Sequence, residues 1–213
     1  MDALLNTFRE SYAAFGKMRS SWDESHAASV GLVSVVVNAM ERMSTLERFD
    51  VEAHAKVKGK GGDHGGKVEG TDEGATALAL VTAQYEALDR VFTRLNEELE
   101  TCDALVRKLE VVKREAWKRA RALDPPLRMA GGEKMGPQPS IAECVLGLED
   151  AWVMYRDESA LKREIVKKLA VCEDIEALKT LLIVFTEQPN LDPEELRMIV
   201  ERVPVKNVEA VLR

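Results

Sequence analysis

Three histidines, three cysteines, a glycine–lysine segment and one pair of carboxylates are the residues here whose types could do chemistry. His26, His54 and His64 stand far apart, and no two have the i,i+4 spacing that sets a metal between helical ligands. Gly61, Gly66 and Lys67 match the Gly-x-x-x-x-Gly-Lys part of a phosphate-binding loop. The next residue is Val68, where a hydroxyl is needed for magnesium. No buried strand precedes that segment and no helix starts at once, so no nucleotide site is expected. Cys102, Cys144 and Cys172 are widely separated, each inside a helical pattern. They read as small buried apolar residues in a reducing compartment rather than as disulfides or ligands. There is no nucleophile-elbow motif and no Cys-x-x-Cys. Glu97 and Glu98 fall on outward helix faces and read as solvated surface. The expectation is a protein that is not an enzyme, with no cofactor and no metal.

The charged and aromatic residues offer binding instead of catalysis. Arg107, Lys108, Lys113, Arg114, Lys118, Arg119 and Arg121 crowd one stretch. Cations near a helix C-terminus complement its dipole, and the same residues could touch RNA phosphates. Interleaved acids and the absence of groove-reading motifs favour a solvated face, so direct nucleic-acid binding is not expected. The bulk charge agrees, at −7. Trp22, Trp117 and Trp152 are possible interface anchors, because tryptophan is enriched at hot spots. Core packing is the plainer account of Trp22 and Trp152; Trp117, among lysines and arginines, is the better interface candidate.

The elements that must position these residues are helices. Leu78, Val81, Tyr85, Leu88, Phe92, Leu95, Leu99, Cys102, Val106 and Leu109 form an unbroken 3-4-3-4 apolar ladder. A helix with that seam must pack along its length against other helices, in cis or in trans. At about 1.5 Å per residue the ladder spans about 48 Å, too long for the interior of a compact globule. With Leu78 at position a, Val91, Leu105 and Val112 fall at g and widen the stripe, which favours three or four helices over a two-stranded rod. Asp89, Asp103 and Glu110 at e give an acidic flank. An earlier ladder runs through Leu5, Phe8, Tyr12 and Phe15, then Trp22, then Val33, Val36, Met40 and Met43, with Arg19, His26 and Ser29 as polar rungs. Such rungs can specify register or a single partner. Alternatively the helix bends there, or Met18 and Val30 take over. A third ladder holds Ile141, Val145, Leu148, Trp152 and Tyr155. Ser159 and Lys162 interrupt it before Ile165, Val166 and Leu169.

The chain therefore divides into a first long helix (1–54), a flexible Gly/Lys linker (55–76), a second long heptad helix (75–123), a loop (124–139), a third long helix (140–171) and short C-terminal helices (172–213). Asp124-Pro125-Pro126 stops the second helix. Ser140 and Glu143 form a capping-box signature. Pro189 and Asn190 break the first C-terminal helix, and Asp192-Pro193-Glu194-Glu195 starts the next. A last short helix is expected at about 206–212. The fold class is all-α, an elongated bundle of three long helices with short C-terminal helices. Its seam would be completed by a partner helix or a second copy, through Trp22, Leu78, Tyr85, Leu88, Phe92, Leu95, Leu99, Trp117, Trp152 and Tyr155. No run of about 18 apolar residues exists to span a membrane, and the N-terminus lacks the basic region of a secretory signal.

Two blocks carry a resemblance. Pro139-Ser140-Ile141-Ala142-Glu143 is followed by Leu146, Leu148, Tyr155 and Leu161-Lys162-Arg163. Trp22 is followed by Leu32, Asn38-Ala39-Met40-Glu41 and Leu46-Glu47-Arg48-Phe49-Asp50-Val51. Together they resemble the small helical ribosome-maturation factor that partners a type II AAA+ ATPase in eukaryotes. The Gly/Lys linker departs from that pattern. The resemblance implies a non-catalytic adaptor that binds the ATPase and a second small helical subunit. The complex it implies acts on late large-subunit ribosomal precursors, and a role in unfolding replication proteins is also attributed to it. Contact with the pre-ribosome would be indirect, and the location cytoplasmic, with the nucleus a second site. The competing class is a structural coiled-coil subunit of a kinetochore, tethering or cytoskeletal assembly, which heptads alone fit equally well.

Overall fold

A computed structural model describes residues 2–59, 72–122 and 140–203, with side chains described at 8–46, 79–122 and 140–203. The order is α1 (Asp2–Gly59), α2 (Asp72–Arg121), α3 (Ile141–Leu169), α4 (Ile175–Glu187) and α5 (Pro193–Arg202). The described residues are all-helical, with no strand. The first helix runs past the expected boundary to Gly59, and the second begins at Asp72. What is left of the Gly/Lys linker, the phosphate-loop-like segment, His64 and the helix expected at 206–212 lie outside the described residues. So do the side chains of Leu5, His54 and Leu78.

α1 and α2 form a long antiparallel hairpin. Ser25 of α1 meets Glu98 and Cys102 of α2, and farther along, Val36, Ala39 and Met43 cluster with Leu88. α3 lies antiparallel to α2: Trp117 reaches Glu149, and Asp103 reaches Ser159. α4 packs back along α1, with Lys179 against Glu41 and Phe185 beside His26. α5 closes over the N-terminal turns of α3. The g positions explain this arrangement. Leu105 and Val112 join the main core and Val91 the outer cluster, so α2 offers apolar surface to two neighbours and not one.

The helix ends follow their local chemistry. At Ser140 the hydroxyl accepts from the Glu143 amide at 3.1 Å, and the Glu143 carboxylate accepts from the Ser140 amide at 2.8 Å. Such reciprocal capping satisfies two donors the helix leaves open. Asp192 accepts from the amides of Glu194 and Glu195, with Pro193 in the first turn. Asp174 caps α4 in the same way through Glu176.

The two ladders thought to be interrupted are continuous. α1 is unbroken, and Ser29 is buried in phase with its apolar rungs. On α3 the rungs 141, 145, 148, 152, 155, 159, 162, 166 and 169 keep one 4-3 step. Ser159 is 4% exposed and Lys162 0%. The polar residues do not break the seam; they are rungs of it. Asp103, expected on an acidic outer flank, turns inward and receives Ser159 and Arg163. Cys172, expected within a helix, sits in the turn between α3 and α4.

Candidate functional site

The residues expected at a partner interface divide sharply. Trp22, Leu95, Leu99 and Tyr155 are buried in the chain's own core, and Leu88 lies in the outer α1–α2 cluster. Phe92 is half-buried beside that same cluster. Trp22 is committed on every side. Its ring meets Tyr155 edge-on at 5.0 Å, and its indole N–H donates to the Gln188 side chain at 2.7 Å. Gln188 holds the left-handed end of α4, with φ 48°. From Leu88 to Leu109 the seam is thus closed in cis, and an Asp at Leu95 would break the fold before it tested a partner.

Among the described residues, only the outer end of the hairpin leaves the ladder open, and the cluster of Val36, Ala39, Met43 and Leu88 there draws on α1 and α2 alone. Tyr85 is 55% exposed, though it is a ladder residue. Leu80, five residues before it on α2, is exposed as well, and so is Leu46 on α1. Neither belongs to a ladder, so heptad counting could not find them. Length explains the opening: α1 and α2 have 58 and 50 residues, whereas α3 has 29 and α4 has 13. The short helices cannot cover both long ones to the tip.

Where the bundle is thickest, the polar rungs meet. The Lys162 ammonium lies 2.8 Å from His26 Nδ1 and donates to the Phe185 carbonyl at 3.2 Å. Its counter-charge is Glu158, also fully buried, at 3.7 Å. The other Glu158 oxygen accepts from the Asn190 amide and side chain, at 3.1 and 3.2 Å. Burial pulls the lysine down to about 8, although the Glu158 charge works against that. Burial, then the adjacent ammonium, lowers His26 to about 4, so at neutral pH the imidazole is uncharged and Nδ1 accepts from Lys162. One turn away, burial raises Asp103, but hydrogen bonds from Arg163 and Ser159 outweigh it and hold the carboxyl below its ordinary range. Lysine, glutamate and histidine together could suggest proton chemistry. Lys162 and Glu158 are fully buried, and the hydrogen bonds and ion pair of the group run to α1, α3, α4 and the turn after α4. Its work is to fix register.

Two of the thiols are equally withdrawn, while Cys172 is partly exposed. Burial pushes Cys144 up to about 11 and raises Cys102 as well, and all three cysteines are free. Among the described residues no group of three or more His, Cys, Asp or Glu side chains could hold a metal ion, and no helix is long and apolar enough to cross a membrane.

At the other end, Trp117 and Trp152 are half-buried between α2 and α3. The Trp117 indole N–H donates to Glu149 at 3.1 Å. Trp152 lies between Lys113, 3.3 Å from its ring centre, and Arg156, at 4.8 Å. Lys113, Arg114, Trp117, Lys118, Arg121, Glu110 and Glu149 line an open cleft of about 510 Å³.

These features define an all-helical scaffold, a long hairpin braced by three shorter helices, with an apolar patch on its outer part and a basic cleft. A family model described as ribosome biogenesis protein C1orf109-like matches residues 2–208, and the chain belongs to that family. No curated protein matches the chain in a whole-sequence search. Ribosome biogenesis is the process in which its family places it.

Proposed function

We propose that the protein is a non-enzymatic adaptor subunit of an AAA+ ATPase complex acting in cytoplasmic maturation of the large ribosomal subunit. The outer end of the α1–α2 hairpin is its dock for a second small helical subunit. The observation that carries the docking is the open ladder rung Tyr85, more than half exposed on a two-helix arm, with Leu80 off the ladder exposed as well. A third helix laid along the arm would bury Tyr85 as α3 buries the inner rungs; Leu80, five residues before it and so about 140° around α2, would need a second contact from the partner. The ATPase and the large-subunit precursor come from the resemblance of the Trp22–Val51 and Pro139–Arg163 blocks; the family match supports the ribosome-biogenesis setting.

The test is affinity purification of the tagged full chain with mass spectrometry, beside sedimentation of extracts on a sucrose gradient. The expected result is recovery of an AAA+ ATPase and a small helical protein, and co-migration with large-subunit precursors. The L80E/Y85E variant should keep its helicity and lose the helical partner. Recovery of a coiled-coil tethering assembly without an ATPase would replace this reading with the structural one. Full partner recovery by L80E/Y85E would move the dock elsewhere.

A further inference from the structure

The C-terminal half of α2 opposes the charge of the rest of the chain. Between residues 107 and 121 seven cations stand against two carboxylates, in a chain of net charge −7. Their placement matters more than their number. Arg107, Arg114, Lys118 and Arg121, with Val111 between, follow a 4-3-4-3 step and so share one face of α2; all are exposed. The stripe runs about 21 Å at about 1.5 Å per residue. It borders the cleft whose wall is Trp117.

Little within the chain neutralises it. Among the described residues Arg114 and Arg121 form no ion pair, and Lys118 has only a long contact of 3.9 Å to the half-buried Glu115. Glu149 also lines the cleft but is held by the Trp117 N–H. Arg121 lies over the Trp117 ring, 5.5 Å from its centre. By sequence, 60–71 and 123–139 each hold as many cations as carboxylates, so neither is a built-in counter-ion.

We infer that this face of α2 is a contact surface for single-stranded RNA. A straight row of cations beside an aromatic wall fits a chain of phosphates carrying stackable bases, the combination that single-strand binders use. Guanidinium against indole adds a second planar platform. An acidic protein would match the charge but has no use for the ring. The family's place in ribosome biogenesis makes RNA the polyanion at hand. The sequence pattern favoured a merely solvated face; the concave cleft and the Trp117–Arg121 pair change that balance. The inference does not depend on the ATPase reading.

Fluorescence anisotropy of the full chain with a short labelled oligouridylate tests it, across a salt series. Binding should weaken linearly in log salt, by about 0.7 per phosphate neutralised, so R114E/K118E/R121E should flatten the slope by about 2. The same variant should bind more than about tenfold more weakly, with unchanged circular dichroism because all three residues are exposed. W117L should lose about five- to a hundredfold at constant slope, as expected for a lost stacking partner. No binding at low salt overturns the inference, as does binding indifferent to the triple reversal. Tighter binding of poly-glutamate than of the oligonucleotide overturns it too, and assigns the face to an acidic protein.

Discussion

A lysine with no exposed atom can be kept only if each of its demands is met. At Lys162 the glutamate charge, a backbone carbonyl and an imidazole nitrogen meet them from three elements. Breaking a buried pair from one side is far costlier than replacing both members. Lys162→Met should therefore lower stability by about 3–5 kcal/mol, because Glu158 is left with an uncompensated charge. Glu158→Gln should be similarly costly, and the double variant should recover part of the loss, since Gln can still accept from Asn190. Urea denaturation of all four chains gives the coupling, expected at about 1–3 kcal/mol; strictly additive losses would mean the pair does not act as a unit. His26 adds a pH dependence. In the folded chain it protonates near 4, in the unfolded chain near its ordinary value. Between those limits the unfolded chain holds the extra proton, so stability falls as pH drops from about 6.5. His26→Gln, which can still accept from Lys162, should flatten that part of the pH profile; an unchanged profile would show that the imidazole does not titrate with folding.

Among the elements, α3 packs against all four of the others. Gly147 sits where α1, α3 and α5 converge. A Cβ there would lie 2.9 Å from the Tyr12 hydroxyl and 3.4 Å from Ile199. That hydroxyl cannot give way easily, because it donates to the Cys144 carbonyl at 2.9 Å. Alanine is the better helix former by about 1 kcal/mol, yet overpacking a closed contact costs about 1–3 kcal/mol. Gly147→Ala should thus lower the melting temperature, and a rise would show that Tyr12 swings aside freely. Helix existence, caps and stripe width were legible in the sequence, because capping boxes, proline stops and heptads are local. Ser140 with Glu143 and the g positions of α2 needed nothing beyond a few turns. Ser159 and Lys162 looked like interruptions for the opposite reason. Their partners, Asp103 and His26, lie 56 and 136 residues away. Spacing shows that a rung is polar, not that another polar rung waits opposite it. The same blindness put Trp22 and Tyr155 among possible partner contacts when they hold each other, and left Leu46 and Leu80 unseen because their exposure follows from where shorter helices stop.

At the scale of the molecule, thickness changes along the hairpin. Around Trp22, Cys102 and Tyr155 the long helices are braced by α3, α5 and the turn before α5, and the core there takes residues from four of the five helices. Around Met43 and Leu88, among the described residues, only two helices share the apolar residues. Helix stability in water comes mostly from tertiary burial, so amide protection should decline from the braced end toward the arm. Hydrogen exchange of the free chain is expected to show α2 amides near Leu99 to Leu109 exchanging far more slowly than those near Tyr85 to Leu88. Mixing with the helical partner should then slow the arm and leave the inner segment unchanged, because binding protects what it covers. Equal protection along α2 in the free chain would mean that something already covers the arm, a second copy being the simplest cover, and protection that rises with protein concentration would identify it. Were the arm to stay unprotected with the partner bound, Tyr85 and Leu80 would not be the dock. The basic stripe beyond Leu105 lies on the braced half, so RNA should alter exchange little there. The hairpin would then present two separable surfaces, a loose apolar arm that a partner helix orders and a rigid charged face that is ready before any ligand arrives.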